Sequence, residues 1–215
     1  WKKIFYSLRN FAKKMKLHKD LILENLKTIL YALIIALVIR SLLIQPFYIP
    51  SSSMEPTMLV GDRLFVTKYS YGFSKHSFPF SPPIFKGRLF SNSPKAGDVI
   101  VFKTPADNRT DYIKRLIGLP GDKIQFIDGD LYLNKNEILK SKIADSDLIY
   151  CGKEAINVNT YQEKLPNGKI YKTVYLKKYN FQNSDIFTVP EKHYFFLGDN
   201  RDCSKDSRYL TSVGY

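Results

Sequence analysis

The 215-residue sequence predicts a mainly β protein, an antiparallel and barrel-like sheet domain carrying an inserted β subdomain and tethered by an N-terminal transmembrane helix. Three observations predict it. One uninterrupted apolar run lies near the start, Ile29 to Ile39 (ILYALIIALVI). Short strand-like runs punctuated by Gly-Asp, Asp-Gly and Asn-Gly turns recur after residue 60, with no strong amphipathic helix after residue 50. Aromatic residues are plentiful, with 15 Tyr and 15 Phe, which suits half-buried pleated surfaces.

The apolar run comes first. From Leu26 to Ile44 there are 19 residues, close to the ~20 that cross a hydrocarbon core. Lys27 and Arg40 sit towards its ends, where long side chains reach the headgroups. A run this short also suits a buried core helix, but apolarity on every face beside a basic flank favours the membrane. A cleaved leader would be followed by a small-x-small site, and Arg40-Ser41-Leu42-Leu43 is none. Residues 1–27 hold eight basic side chains against two acids, a surplus of six out of the chain's net +13. That bias keeps 1–27 in the cytoplasm and puts everything after Ile44 outside, with residues 28–45 as the anchor. The basic balance is assigned to an anionic bilayer surface and not to nucleic acid.

Pro46 and Pro50 end the helix and favour extended backbone. Strands are expected at Arg63–Tyr69, Val99–Lys103, Tyr112–Ile117, Lys123–Ile127, Leu131–Asn134, Ile170–Lys177 and Tyr194–Leu197. Residues 73–96, with Pro79, Pro82, Pro83 and Pro94, read as a loop or hairpin extension. The core is expected from 46–130 and 188–215. The Lys-, Asn- and Asp-rich stretch 131–187 is expected to form the inserted subdomain. Cys151 and Cys203 allow one disulfide or two free thiols, and no Cys/His spacing suits a metal.

Three segments carry chemistry. Pro50-Ser51-Ser52-Ser53-Met54-Glu55-Pro56-Thr57 follows the apolar run at once. Asp111-Tyr112-Ile113-Lys114-Arg115-Leu116-Ile117 sets a lysine in a strand, with Tyr112 and Leu116 on its face and Arg115 on the other. A buried lysine loses its charge by desolvation and can take a proton from a hydroxyl. Gly198-Asp199-Asn200-Arg201-Asp202-Cys203-Ser204-Lys205-Asp206-Ser207-Arg208 is dense in hydrogen-bonding groups. Singly, these read as a loop, a solvated lysine and a polar turn.

Together and in this order they resemble the type I signal peptidases. Ile39-Arg40, Gln45-Pro46-Phe47, Gly61-Asp62 and Gly97-Asp98 to Phe102 extend the resemblance over about 29–127 and 188–213; it is weak over 131–187. The resemblance implies a membrane-bound Ser/Lys protease that removes signal peptides from secretory preproteins after small-x-small sites, on the outer face of a bacterial cytoplasmic membrane, without cofactor or metal. Ser53 is then the nucleophile, Lys114 the general base, and Ser51 with the Ser53 N–H the oxyanion hole. Ser204 orients the lysine, Asp206 and Arg208 support it, and Ile49, Met54, Tyr112 and Ile113 line the substrate pockets. Cys203 stands where many relatives have Asn, and Ser52 where Gly is frequent. The chain starts at Trp1 instead of Met and stops at Gly214-Tyr215, where relatives continue with a further strand, so a truncated chain is expected.

Histidine is the rival base. His18 precedes the span, His76 lies in the Pro-rich stretch and His193 on the approach to a strand, which leaves a Ser-His-Asp arrangement poorly supported. Two other readings stand beside the signal peptidase one. A repressor-type self-cleaving protease would need a DNA-binding domain that 1–27 is too short to hold. A membrane-tethered binding protein with a dead site would work through its basic N-terminus.

Overall fold

The computed structural model describes residues 2–78, 81–83, 86–152, 154–176 and 183–209. The chain divides into two compact units, residues 1–45 with 67–92, and residues 46–66 with 93–215.

The first unit contains one long helix, α1 (Lys2–Leu42). It is continuous through the basic segment as well as the apolar run, because no Gly or Pro interrupts the sequence before Pro46. Its part from His18 to Leu42 is 25 residues, about 38 Å long, and is long and apolar enough to cross a membrane. In the 67–92 segment, Phe73 and Leu89 exchange backbone hydrogen bonds of 2.9 and 2.8 Å. A 3₁₀ turn over Lys75–Ser77 is capped by Ser74, and His76 Nδ1 lies 3.1 Å from Ser81 Oγ. Pro79 falls outside the described residues.

The strands follow in chain order. They are β1 (Ile44–Tyr48), β2 (Arg63–Thr67), β3 (Val99–Lys103), β4 (Asp111–Gly118), β5 (Lys123–Ile127) and β6 (Asp130–Leu133). Then come β7 (Asn136–Glu137), β8 (Leu139–Cys151), β9 (Glu154–Lys164), β10 (Ile170–Leu176), β11 (Phe187–Thr188) and β12 (Phe195–Leu197). They form four sheets: β1-β2, β12-β4-β3, β11-β5-β6-β7 and β10-β9-β8. The mainly antiparallel β class is as expected, and barrel-like describes it only loosely: the described strands make separate sheets that do not close on one another. The physical reason is that each group of strands ends at its own edge, so no strand pairs across to complete a ring.

No α-helix follows Leu42 among the described residues, as the patterning predicts. Two strands exceed what the sequence indicates. β8 and β9, 13 and 11 residues long, pair from Leu139↔Lys164 to Cys151↔Glu154. Their alternation is hidden because exposed positions carry Lys142, Asn157 and Lys164 and also Leu148 and Tyr150. Leu131, Leu133, Leu165 and Tyr171 from the 131–187 stretch pack into one core with Ile117, Ile124, Phe126, Phe195 and Leu197. This core backs β4 and β12, which carry the residues described next.

Candidate active site

The segment Pro50–Pro56 cannot form a regular helix between its prolines, and it makes one 3₁₀ turn, Ser52–Met54, with extended Ser51 as its N-cap. Glu55 N donates back to Ser52 O at 3.0 Å and Met58 N to Met54 O at 3.0 Å, which folds the turn tightly. Ile49 and Met54 anchor it by complete burial. The Ser53 side chain is thereby turned inward, with 6% of its surface exposed.

Lys114 reaches this turn from the middle of β4, where it is paired with Ile100 of β3. Its Nζ lies 2.5 Å from Ser53 Oγ. Lys114 is only 4% exposed, and the Tyr112 ring, on the same strand face, is 5.4 Å from its Nζ. Burial pushes the Lys114 amine down to about 8, partly offset by the Asp206 and Asp199 carboxylates and reinforced by Arg208. Ser51 Oγ is 3.3 Å from Ser53 Oγ, and Ser51 stays exposed. Tyr112 and Ile113 are half-buried at the start of the same strand.

The other face of β4 behaves as strand period dictates. Arg115 points away from Lys114 and makes a bidentate pair with Asp199, Nε to Oδ1 at 2.7 Å and Nη2 to Oδ2 at 2.6 Å. Thr57 Oγ1 donates to the same carboxylate at 2.5 Å. Asn200 then clamps the nucleophile turn: its Nδ2 donates to Ser52 O and its backbone N to Ser53 O, both at 3.2 Å. Asp199, Asn200, Arg115 and Thr57 form the hydrogen-bond frame around the Ser52–Met54 turn, and sequence reasoning gave none of them an individual role.

Ser204, Asp206 and Arg208 are all buried in the loop that follows β12. Arg208 grips Asp206 with Nε to Oδ1 at 2.8 Å and Nη2 to Oδ2 at 2.9 Å, and Gly198 N donates to Asp206 Oδ2 at 3.0 Å. Burial alone would raise the Asp206 carboxyl, but the Arg208 guanidinium outweighs it and holds the group below the usual carboxylate range. Ser204 Oγ is buried without a hydrogen bond of good geometry, close enough to Asp206 to help hold its charge. Gly198 packs directly on the Ser204 side chain and on Ser53 O.

Beneath this loop lies a buried ion pair that the sequence does not advertise. Arg201 and Glu163 are each 1% exposed, with Nη2 2.7 Å from Oε2. The hydroxyls of Tyr171 and Tyr175 donate to Glu163 at 2.7 Å each, and Arg201 Nε donates to Gly198 O at 3.1 Å. Burial would raise the Glu163 carboxyl, but Arg201 and the two hydroxyls hold it down. The usable signal was on β10, where Tyr171, Thr173 and Tyr175 alternate and set three hydroxyls on one carboxylate. Glu163→Gln would leave Arg201 as a buried uncompensated charge. Such a loss costs roughly 3–5 kcal/mol, and the denaturation midpoint should fall accordingly.

The three histidines stay apart from this chemistry. His18 is in α1, His76 pairs with Ser81, and exposed His193 holds its Nδ1 2.8 Å from Glu191 O. Among the described residues no group of three His, Cys, Asp or Glu is arranged to hold a metal.

The arrangement therefore pairs a buried serine with a lysine whose charge is weakened at neutral pH. Comparison with known proteins agrees with the motifs. The family model described as "Signal peptidase, peptidase S26" matches residues 22–215. The chain is 46% identical over 189 residues to signal peptidase I of Rickettsia massiliae, covering 83% of this chain and 69% of that one. It is 44% identical over 194 residues to signal peptidase I of Rickettsia canadensis, covering 86% and 72%. A solved signal peptidase I from Enterococcus faecalis V583 matches with 30% identity and a TM-score of 0.31, covering 57% of this chain and 91% of that one. The chain belongs to the signal peptidase family, peptidase S26.

Proposed function

We propose that this protein is a membrane-anchored serine endopeptidase that removes signal peptides from secretory preproteins through a Ser53/Lys114 dyad. The observation that carries the reading is the 2.5 Å approach of Lys114 Nζ to Ser53 Oγ inside a buried pocket. A serine hydroxyl is a weak nucleophile until a base takes its proton. Neutral Lys114 accepts that proton as Ser53 Oγ attacks the scissile carbonyl carbon. The oxyanion is held by Ser51 Oγ and the Ser53 N–H; one such donor is typically worth ~10²–10³ in rate. The lysine, now an ammonium, donates to the leaving amine as the peptide bond breaks. Water, deprotonated by the same lysine, hydrolyses the acyl-enzyme. Ser204 is the group that would orient Lys114, and Asp206 with Arg208 would fix the loop carrying it.

Substrate enters extended, so backbone pairing gives affinity, and shallow pockets at half-buried Tyr112 and Ile113, backed by buried Ile49 and Met54, admit only small side chains. That selects small-x-small, Ala-x-Ala-like sites. Residues 1–27 lie in the cytoplasm, 28–45 anchor the chain in the bacterial inner membrane, and the β part, with its 131–187 insertion, works outside. No nucleic acid and no cofactor enters the scheme.

Cleavage of a secretory precursor in detergent, with and without Ser53→Ala, tests the activity and its nucleophile. The pH dependence tests the base. Lys114 acts only when neutral, so activity is lost as pH falls through its folded value. The acid limb of kcat/KM should have an apparent pKa near 8 and approach a tenfold loss per pH unit below it. A profile flat from pH 6 to 9, with chemistry rate-limiting, removes Lys114 from the role.

A further inference from the structure

Cys151 and Cys203, 52 residues apart in sequence, form a disulfide with their Cα atoms 5.6 Å apart. Cys151 is the last residue of β8, at the tip of the β8–β9 hairpin. Cys203 directly precedes Ser204, and its backbone N donates to Asn200 Oδ1 at 3.3 Å. Asn200 is the residue that holds the carbonyls of Ser52 and Ser53. The bond thus ends on the loop that holds Ser53 O through Asn200 and whose Asp206 and Arg208 charges act on Lys114.

The same hairpin tip also reaches the nucleophile turn. β8 packs against the Ser52–Met54 turn, and burial raises the carboxyl of Glu55, two residues after Ser53, while the backbone of Val60 and of Tyr150, next to Cys151, partly lowers it. Glu55 is buried. The hairpin tip, held in the ladder by Tyr150↔Ala155 and Cys151↔Glu154, therefore belongs to a strand that packs against the Ser53 turn and is bonded covalently to the residue before Ser204. The loop needs such a fastener. Residues 201–209 form no strand or helix, so no sheet ladder holds Ser204 in place, and the Cys203 bond fixes the residue next to it.

We propose that the Cys151–Cys203 disulfide is a positioning element of the active site, holding the Asn200–Ser204 loop against Ser53 and Lys114, so that full activity requires the oxidised bond. The proposal rests on the dyad reading above. Both cysteines are half-buried, so a small reductant can reach the bond. Dithiothreitol supplies two electrons and two protons to the S–S bond, leaving a thiol on each cysteine and becoming a cyclic disulfide. Glutathione disulfide reverses the change and leaves as two glutathione thiols.

The test compares oxidised, reduced and reoxidised enzyme in detergent on one precursor, with the Cys151→Ala/Cys203→Ala double variant alongside. Reduction should lower kcat tenfold or more and move the acid limb upward from about 8, because a loosened loop lets water reach Lys114. Reoxidation should restore both, and the double variant should be slow and indifferent to dithiothreitol. Unchanged kcat and acid limb after reduction would overturn the proposal. So would loss of the far-ultraviolet dichroism on reduction, which would make the bond a staple of the whole fold and not of the site. If instead Ser53→Ala cleaves as the parent does, the dyad reading fails, whatever the response to reduction.

Discussion

Lys114→Met should lower kcat/KM by about 10⁴-fold or more and at the same time raise the melting temperature at pH 7. The loss of rate follows from the role: without a base at 2.5 Å, Ser53 Oγ keeps its proton and attack becomes negligible. The gain in stability follows from burial. The amine is pushed from 10.5 to about 8 chiefly by desolvation, with Asp206 and Asp199 only partly relieving it. Below pH 8 both the folded and the unfolded chain carry the proton, so the folded state bears the full cost of a buried ammonium. Between 8 and 10.5 the unfolded chain binds more protons than the folded one, and stability rises with pH. The span of about 2.5 units corresponds to about 3 kcal/mol.

Methionine matches the lysine stem in length and carries no charge, so it removes that cost at pH 7. For a chain of this size the shift amounts to several degrees. The advantage should shrink as the melts are run from pH 8 towards pH 10. Melting curves of parent and variant in the same detergent, together with precursor cleavage, check both halves. A variant that melts at or below the parent at pH 7 would mean that the lysine is not desolvated. Ser53→Ala should lose activity equally but show no comparable gain, since no buried charge is removed.

How far the sequence leads depends on where the signal is written. Ser53 and Lys114 could be singled out because three short motifs stand together in order, each of which alone reads as a loop, a solvated lysine or a polar turn. Period two on β4 alone separated Lys114 from Arg115 onto opposite faces, and the structure keeps them there. The partner of Arg115 was not legible: Asp199 lies 84 residues away, and nothing local chooses between it and the other acids of its loop. Glu163 was hidden for the same reason in stronger form. An acid in a polar stretch reads as solvated, and only the β9–β10 register, Glu163↔Tyr171, shows that it is buried against three hydroxyls and a guanidinium. The helical state of residues 2–27 was available from the absence of breakers, but charge drew the reading towards topology instead. Sheet closure is a property of edges, which strand count does not reveal, so the barrel-like part of the fold class is only loosely met.

Gly198→Ala should lower kcat/KM by about 10²-fold or more with the fold retained. The reason is space, not backbone freedom, because Gly198 does not adopt a positive φ. A methyl group there would collide with the Ser204 side chain and come within 2.5 Å of Ser53 O. Neither neighbour yields cheaply. Ser53 O is held by Asn200 N at 3.2 Å, and the Ser204 segment is fixed by the Cys203 bond and by Asp206, which itself accepts from Gly198 N. The collision is therefore passed to the dyad as a displacement, and an error of about 1 Å in a reacting group can cost 10²-fold in rate. Gly168→Ala is the matched control. Gly168 has φ +85 and open space around its α-carbon, so alanine there strains only the backbone. It should cost about 1–2 kcal/mol of stability and leave kcat/KM unchanged. If Gly198→Ala retains parental kcat/KM while Gly168→Ala behaves as stated, the close packing of Ser204, Gly198 and Ser53 is not what sets the Ser53–Lys114 geometry, and the loop's role reduces to the hydrogen bonds of Asn200.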